Sequence, residues 1–393
     1  MDVNLQVFWP TVDSPPVKEV AYSYDFCRKF SQSELPNGNW VSYHPEQSWQ
    51  WPDSDGNKFI CIVSDPQLVI PRLTWDQLLN ALLLQQTAVV APVYNISPNP
   101  KQVAELPGVY TTVSTFLEIT QIVHGQHRPA TDLTQPYDPS CLICRGDLFP
   151  SNTKFENHAD FISRLPEEAF LIPNALVHRF GSYGEADRSD LVAWIPPAAT
   201  DILDIGCGRG WLGKHLSEKR PHVEIVGVES NPAMASQARK WYREVFVTPV
   251  EDFTSSQKFD CIVCGDILEH LENPWQVVER LTYMLWPCGC LVASVPNAGH
   301  WSLVRDLAQG RFDYLPYGLT CITHIRWFTE ATLREMIEQA GLQIDKIEHQ
   351  VSPPTPQGEK FIKMMVRGEA GNDKSLRAHG LIVRAFAPGY RIK

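Results

Sequence analysis

The sequence predicts an α/β protein of two domains, residues 1–165 and 166–393. Its 393 residues exceed the length of one typical domain. From about residue 175 onward, apolar runs of strand length alternate with helical patterns, which is typical of a mostly parallel sheet with helices on both faces. The first 165 residues are richer in Pro, Trp and Ser. We therefore expect a smaller α/β domain to precede a larger doubly wound one.

The second domain is predicted element by element from its apolar periodicity. Asn231 can cap a helix and Pro232 suits the first turn of that helix. Further helices are indicated by apolar residues at helical spacing between about 277 and 285 and from about 330 to 340, where Gly341 ends the second. The apolar runs predict strands at 201–205, 223–228, 259–264, 291–295 and 381–385.

The first domain contains a recognisable βαβ-like segment. Two apolar runs, 59–63 and 88–93, predict strands, and residues 74–85 between them predict a helix. Polar loops rich in Pro and Ser occupy much of the remainder.

Composition narrows the class of protein. The net charge of −11 disfavours nucleic acid and anionic membranes as partners, and no apolar run approaches the length that spans a bilayer. The N-terminal residues do not resemble a signal peptide, so we expect a cytoplasmic protein. Each of the two CxxC segments, 141–144 and 261–264, lies in a predicted strand, where the two thiols face opposite sides. We therefore expect no metal site there.

The segment Asp204-Ile-Gly206-Cys-Gly208-Arg-Gly210 carries the functional prediction. A strand that ends in a glycine-rich turn before a helix lets the backbone approach a bound ligand closely. Because Gly208 to Gly213 also satisfies GxGxxG, the turn alone fits a nicotinamide dinucleotide as well. Asp204 favours a cationic methionine moiety over a dinucleotide, whereas Glu229 could hold a ribose in either case.

The segments LDIGCGRG, VGVES, FDCIVCGDILEHLENPW and WPCGCLVASVPN together resemble the class I S-adenosylmethionine-dependent methyltransferases, which have a Rossmann-like fold. The resemblance implies methyl transfer from S-adenosylmethionine, an EC 2.1.1 type of activity. Two departures stand out: Pro249 replaces a frequent acidic residue, and Cys288 replaces a turn glycine. By position, the resemblance implies cofactor-binding roles for Asp204, Gly206, Gly208, Gly210, Glu229, Glu251, Asp252, Asp266 and Ile267.

Within that superfamily, the segments SVPNAGHWSLVRDLAQGRFDY (294–314) and THIRWFTEATLREMIEQAG (323–341) resemble methyltransferases associated with glycosyltransferases in polysaccharide biosynthesis, and residues 177–191 also fit that group. The resemblance implies a saccharide or related small-molecule acceptor. A hydroxyl acceptor requires a general base, and histidine titrates in the useful range. The candidates are His300, which is preferred, His270 and His324. Aromatic residues in the segment 297–327 could stack on a sugar ring.

The segment 60–65 with its following helix and strand loosely resembles the nucleotide-sugar half of GT-A glycosyltransferases. A single carboxylate, Asp65, disfavours metal-dependent glycosyl transfer, so we interpret the domain as degenerate or sugar-binding. No metal is expected in the chain. Two alternatives stay open: an NAD-dependent oxidoreductase that uses the same glycine turn, and a non-catalytic cofactor-binding protein.

Overall fold

The computed structural model describes residues 4–12, 18–53, 59–84, 87–109, 111–180 and 188–389. The chain forms two compact units, residues 1–181 and 182–393. This boundary lies later than the predicted 165/166, because the strand Glu168–Arg179 pairs with strands of the first unit. Among the described residues, no helix is long and apolar enough to cross a membrane.

The first unit contains a mixed sheet. Its strands are β1 (Leu5–Pro10), β2 (Asn39–Tyr43), β3 (Trp49–Gln50), β4 (Phe59–Val63), β5 (Leu68–Val69), β6 (Val89–Tyr94), β7 (Thr131–Thr134), β8 (Cys141–Arg145), β9 (Lys154–Phe155) and β10 (Glu168–Arg179). The order in the main sheet is β2-β1-β4-β8-β6-β10-β5, with β7 paired to β10, while β3 and β9 form a separate pair. Its helices are α1 (Lys18–Glu34), α2 (Arg72–Leu84), α3 (Val113–His124) and α4 (His158–Ser163).

The predicted βαβ-like segment corresponds to β4, α2 and β6. The two strands are not neighbours, because β8 lies between them and runs antiparallel to both. Residue 85, the predicted end of the helix, lies outside the described residues. The sequence therefore predicts these elements well but not the strand inserted between them.

The second unit has the predicted doubly wound α/β architecture. Its strands are β11 (Asp201–Ile205), β12 (Glu224–Val228), β13 (Glu244–Phe246), β14 (Phe259–Gly265), β15 (Leu285–Pro296), β16 (Gln343–Val351) and β17 (Ala378–Phe386). Its helices are α5 (Ser189–Val192), α6 (Trp211–Lys219), α7 (Pro232–Ala238), α8 (Pro274–Thr282), α9 (Trp301–Ala308), α10 (Glu330–Gln339), α11 (Pro356–Arg367) and α12 (Asp373–Arg377). The sheet order is β13-β12-β11-β14-β15-β17-β16, and β17 is antiparallel to both neighbours.

The register of this sheet brings several loops to one edge. Ile205 pairs with Val228 of β12 and with Cys264 of β14, so these three parallel strands end at the same level. The strand order also reverses between β11 and β14. Crevices at such reversals are the usual ligand sites of open α/β sheets.

Apolar side chains cover both faces of the sheet. In β14, Ile262 and Cys264 join one buried cluster, whereas Cys261 and Val263 join the cluster on the other face. The prediction that Cys261 and Cys264 face opposite sides is thus confirmed. The alternation explains why this strand consists of a continuous apolar run.

Truncation of a central core residue should destabilise the protein strongly. Ile262 is fully buried, so we expect Ile262→Ala to lower the free energy of unfolding by ~2–5 kcal/mol. Urea denaturation measures this change. Leu307→Ala is the matched control, because Leu307 is 53% exposed on α9. An equal effect of both substitutions would contradict the assignment of Ile262 to the core.

Candidate functional site

The glycine-rich turn lies between β11 and α6. Gly206, Gly208 and Gly210 have φ values of +71°, +52° and +88°, which L-residues with side chains rarely adopt. The amides of Gly206 and Cys207 both donate to the carbonyl of Val228, at 2.8 and 3.1 Å. These bonds fix the turn to the end of β12. The predicted turn is therefore a rigid backbone cradle at the carboxyl edge of the sheet.

Glu229 directly follows β12 and connects that strand to the glycine turn. One carboxylate oxygen accepts from the Gly208 amide at 2.9 Å, and the other accepts from the Asn231 amide at 2.8 Å. Each oxygen keeps further acceptor capacity, since a carboxylate has about four lone-pair sites. The side chain is half-buried. It is thus held in a fixed orientation while it can still accept from two ribose hydroxyls.

Asp204 is buried beneath the turn. It accepts a hydrogen bond from the Tyr242 hydroxyl at 2.5 Å, and that hydroxyl accepts from the Gly213 amide at 3.1 Å. Burial raises the pKa of Asp204 to about 7, although Tyr242 and Arg188 oppose this shift, while Glu229 adds to it. A nearby cationic ligand would favour the carboxylate form. This environment is compatible with the predicted role of Asp204 opposite a positively charged methionine moiety.

Asp266 and Ile267 follow β14 and lie next to the glycine turn. A Cβ atom on Gly206 would stand 3.0 Å from the Ile267 Cδ1 atom, so the isoleucine packs directly on the turn. Asp266 accepts from the Ser294 hydroxyl at 2.6 Å and forms an ion pair with Arg188. Arg188 also donates to the Ser294 hydroxyl at 2.8 Å. Ile267 thus lies beside the turn, whereas a contact of either residue with the cofactor stays a prediction.

Glu251 and Asp252 lie further along the same edge, on a short 3-10 turn after β13. Both side chains are exposed. Arg280 of α8 donates to the carbonyls of Glu251 and Val250, each at 2.5 Å, and so holds the turn in place. A contact between these carboxylates and the cofactor stays a prediction.

His300, the preferred base in the sequence interpretation, is deeply buried. It precedes α9, and its Nδ1 atom lies 2.8 Å from the Ser302 hydroxyl. Burial and the neighbouring His379 lower the pKa of His300 to about 3. A general base must reach the acceptor and titrate near the working pH. The geometry therefore disfavours His300 for that role.

His270 and His324, the two other candidates, are brought together by the fold. Their ring centroids lie 4.8 Å apart. The Nδ1 atom of His270 lies 3.1 Å from the carbonyl of Thr323, and that of His324 lies 3.1 Å from the carbonyl of Leu319. In both rings Nδ1 is thus the donor, which leaves Nε2 as the acceptor atom. The imidazoles are oriented as a pair.

Glu269 completes a group that sequence reasoning missed. Its side chain is buried, and neither carboxylate oxygen has a hydrogen-bond partner among the described residues. The Oε1 atom lies 4.0 Å from Nε2 of His270 and 4.0 Å from Nε2 of His324. One ligand atom from each of the three residues lies within 4.8 Å of the others, so the group could hold a metal ion. The expectation of no metal did not consider this cluster.

The segment after β15 was expected to contact the acceptor through aromatic side chains. Tyr314, Tyr317 and Trp327 are 47%, 49% and 37% exposed, and partial burial with the nearby charge of Asp266 raises the pKa of Tyr317. Trp301 is buried instead. The three exposed rings can stack on a ligand, but Trp301 belongs to the core.

Comparison with known proteins agrees with this geometry. A family model described as "Methyltransferase domain" matches residues 165–347, from the last strand of the first unit through most of the second. Over this range the second unit is similar to methyltransferase domains. The glycine turn and Glu229 lie within the matched range, and their cofactor-binding roles stay predictions.

Curated relatives cover the same region. A "Ubiquinone biosynthesis O-methyltransferase" of Xylella fastidiosa (strain 9a5c) is 26% identical over 172 residues, which are 39% of this chain and 65% of that protein. The protein of the same name from Xanthomonas axonopodis pv. citri (strain 306) is 28% identical over 174 residues, 41% of this chain and 70% of that protein. A solved methyltransferase of Archaeoglobus fulgidus is 20% identical with a TM-score of 0.39, covering 52% of this chain and 95% of that one.

Four residues of the methyltransferase site were not found from the sequence: Arg188, Tyr242, Glu269 and Ser294. Arg188, Tyr242 and Ser294 each contact a residue far away in the sequence, so no local spacing indicates these contacts. Arg188 and Ser294 contact Asp266, and Tyr242 contacts Asp204. Glu269 differs, because it precedes His270 in the DILEHL segment. An acidic residue beside a candidate histidine was a usable signal.

Substitution of Gly210 should damage the cofactor cradle. An added Cβ would lie 2.7 Å from the Ala238 Cα atom, in addition to the strain of the positive φ. Gly310→Ala is a matched control, because Gly310 has a φ of +74° but nothing within 4 Å of its Cβ position. We expect both variants to lose ~1–2 kcal/mol from backbone strain.

Beyond this shared loss, Gly210→Ala should be less stable than the control and should bind S-adenosylhomocysteine more weakly. Thermal denaturation and calorimetry measure the two effects. Equal stability and equal binding of both variants would refute the close approach at Gly210.

Proposed function

We propose that the chain transfers the methyl group of S-adenosylmethionine to a hydroxyl oxygen of a small, ring-bearing acceptor of the saccharide class. One observation carries this proposal. Ile267, which packs on the glycine turn, and His270, one of the paired imidazoles, belong to one segment at the end of β14. The predicted cofactor-binding residues and a candidate proton acceptor are therefore neighbours in the fold.

For methyl transfer, the protein must align the acceptor hydroxyl with the methyl group of the cofactor and remove the hydroxyl proton. The acceptor oxygen forms a bond to the methyl carbon as the bond from carbon to sulfur breaks, and S-adenosylhomocysteine leaves. In-line geometry supplies much of the rate enhancement. A hydroxyl must also lose its proton, and His270 can accept it through Nε2. His324 is poorly suited to this step for the same reason as His300, because burial and the neighbouring His270 lower its pKa to about 4. The printed names of the curated relatives, which are O-methyltransferases, support an oxygen acceptor.

The exposed rings of Tyr314, Tyr317 and Trp327 support a ring-bearing acceptor. Tyr317 is also close enough to Asp266 for that charge to affect its pKa. Aromatic faces recognise apolar ring surfaces with little conformational cost. A sugar that stacks on these rings would present its hydroxyls at the edge of the sheet.

For the first unit we propose a saccharide-binding role without glycosyl transfer. Asp65 accepts from the Arg179 guanidinium at 2.8 Å, and the same guanidinium is paired with the buried Asp138 at 3.1 Å. Arg179 further donates to the Ser140 hydroxyl at 2.7 Å. A carboxylate engaged in this way is poorly suited to bind a divalent ion for a departing diphosphate.

The proposal is tested by labelled methyl transfer from S-adenosylmethionine to a panel of nucleotide sugars, polysaccharide fragments and simple phenols. We expect incorporation into a saccharide hydroxyl, identified by mass spectrometry of the product. Transfer to phenols alone would overturn the saccharide class. Cofactor binding without turnover on the whole panel would instead favour a non-catalytic protein, and tight binding of NAD without S-adenosylhomocysteine would favour an oxidoreductase.

Removal of the Glu229 charge should weaken cofactor binding. Glu229→Gln replaces an acceptor-only carboxylate with an amide that presents one acceptor oxygen, so hydrogen bonds to ribose hydroxyls are lost. Hydrogen bonds to charged groups contribute ~1.5–3 kcal/mol, which corresponds to about 10- to 100-fold in affinity. Calorimetry with S-adenosylhomocysteine measures this effect. Glu218→Gln, on the exposed surface of α6, should bind like the unmodified protein, and equal binding by Glu229→Gln would exclude the ribose role.

A further inference from the structure

We propose that Glu269, His270 and His324 bind one divalent transition-metal ion, and that this ion holds the acceptor hydroxyl for methylation. The second part rests on the proposed function, whereas the first part does not. The three residues come from the 3-10 turn after β14 and from the loop before α10. No metal was expected from the sequence, because the cluster exists only in the folded chain.

The orientation of both imidazoles is typical of metal ligands. In each ring Nδ1 lies 3.1 Å from a backbone carbonyl, of Thr323 for His270 and of Leu319 for His324. Metal-binding histidines usually donate their other ring N–H to such an acceptor, which fixes the tautomer and directs the lone pair of Nε2 to the metal. Both Nε2 atoms lie 4.0 Å from the same Glu269 oxygen.

The backbone locks the two ligand segments together. The carbonyl of Glu269 accepts from the amides of Ile325 and Arg326 at 2.9 and 3.0 Å. His324 is therefore held next to the turn that carries the other two ligands. A site preorganised in this way loses little conformational freedom when an ion binds.

The Glu269 carboxylate provides an independent observation. It is 1% exposed, and both oxygens lack a hydrogen-bond partner among the described residues. A buried acceptor without a partner costs ~1–3 kcal/mol, and more when the group is charged. A cation between this carboxylate and the two Nε2 atoms would satisfy the group.

The donor set indicates which ions fit. Two imidazole nitrogens and one carboxylate oxygen suit Zn²⁺, Mn²⁺, Fe²⁺ or Co²⁺, whereas Mg²⁺ and Ca²⁺ prefer oxygen ligands. Ligands of a tetrahedral site with bonds of ~2.1 Å lie ~3.4 Å apart. The three ligand atoms lie within 4.8 Å of one another, and both Nε2 atoms lie 4.0 Å from Oε1 of Glu269, so they must close in by up to about 1.4 Å when an ion binds. Three protein ligands leave at least one position open, as in catalytic sites. Asp266 stays outside the set, because Arg188 and Ser294 already engage it.

The open coordination position would let the ion bind the acceptor hydroxyl directly. A divalent cation lowers the pKa of a bound water from 15.7 to about 7, and a bound hydroxyl is acidified in the same way. With the ion bound, both Nε2 lone pairs are used by the metal and neither imidazole can accept the proton. The hydroxyl proton then passes to solvent, the oxygen attacks the methyl carbon, and the carbon–sulfur bond breaks. The products are the methyl ether and S-adenosylhomocysteine, and the ion is unchanged.

Metal binding is tested on the full, untagged chain after treatment with a chelator and its removal. Titration with Mn²⁺ or Zn²⁺, followed by calorimetry and by the electron paramagnetic resonance of Mn²⁺, should show one saturable site per chain. We expect His324→Ala and Glu269→Gln to weaken binding by about 100-fold or more. His222→Ala removes an exposed histidine of the same unit and should bind like the unmodified protein.

Binding of S-adenosylhomocysteine by each variant shows that the unit is folded, since the ligands do not belong to the glycine turn. Absence of a saturable site in the unmodified chain, or equal affinity in folded His324→Ala, would overturn the proposal.

Methyl-transfer assays with and without the ion test the metal proposal separately from the proposed methyltransferase function. We expect methyl transfer to be lost after chelation and restored by the ion. Transfer that is unaffected by chelation would overturn the role of the ion and leave the methyltransferase proposal intact. A saturable site in a chain that methylates no acceptor would support the metal site and contradict the proposed function.

Discussion

The hydrogen bonds from the amides of Gly208 and Asn231 to Glu229 are the constraint on which the predicted cofactor site depends. They join the turn after β11 to the start of α7, so two βα loops are fixed by one carboxylate. Within the turn, the Gly208 amide donates to that carboxylate, whereas the amides of Gly206 and Cys207 donate to the carbonyl of Val228. Since the ends of β11, β12 and β14 are level, the loop after β14 reaches the same place. The loops after β11 and β12 therefore meet at the Glu229 carboxylate, and the other residues of the candidate site lie around this junction.

Beneath the junction, two opposing effects act on Asp204. Desolvation favours its neutral form, whereas the Tyr242 hydroxyl and the Arg188 charge favour the carboxylate. The first effect is larger, so its pKa rises to about 7. A ligand with a positive charge shifts the balance towards the carboxylate, whereas a neutral one does not. The protonation of Asp204 is therefore coupled to the charge of the bound ligand.

The sequence predicts those features that depend on neighbours in the chain. The apolar runs locate β11, β12 and β14 to within about a residue, and the glycine spacing locates the turn. Features that depend on folding were missed or misplaced. The boundary at 165/166 was too early, because the pairing of β10 with β6 is not visible as a local pattern. His300 was preferred for its position after β15, but α9 packs over it and buries it.

Burial alone does not distinguish a histidine with a packing role from one with a chemical role, as a comparison of His300 with the pair His270 and His324 shows. All three rings are at least largely buried, and burial lowers the pKa of both His300 and His324. The difference lies in what surrounds them. Both His300 and His324 lie near a second histidine that disfavours the charged form, His379 and His270 respectively. Only His324 also lies near the carboxylate of Glu269, whose oxygens have no hydrogen-bond partner among the described residues. If His270 and His324 served only to pack the core, a buried carboxyl group such as Glu269 beside them would not be needed. The cost of keeping Glu269 there is offset only by a cation, either a proton or a metal ion, and the convergent Nε2 atoms favour the metal.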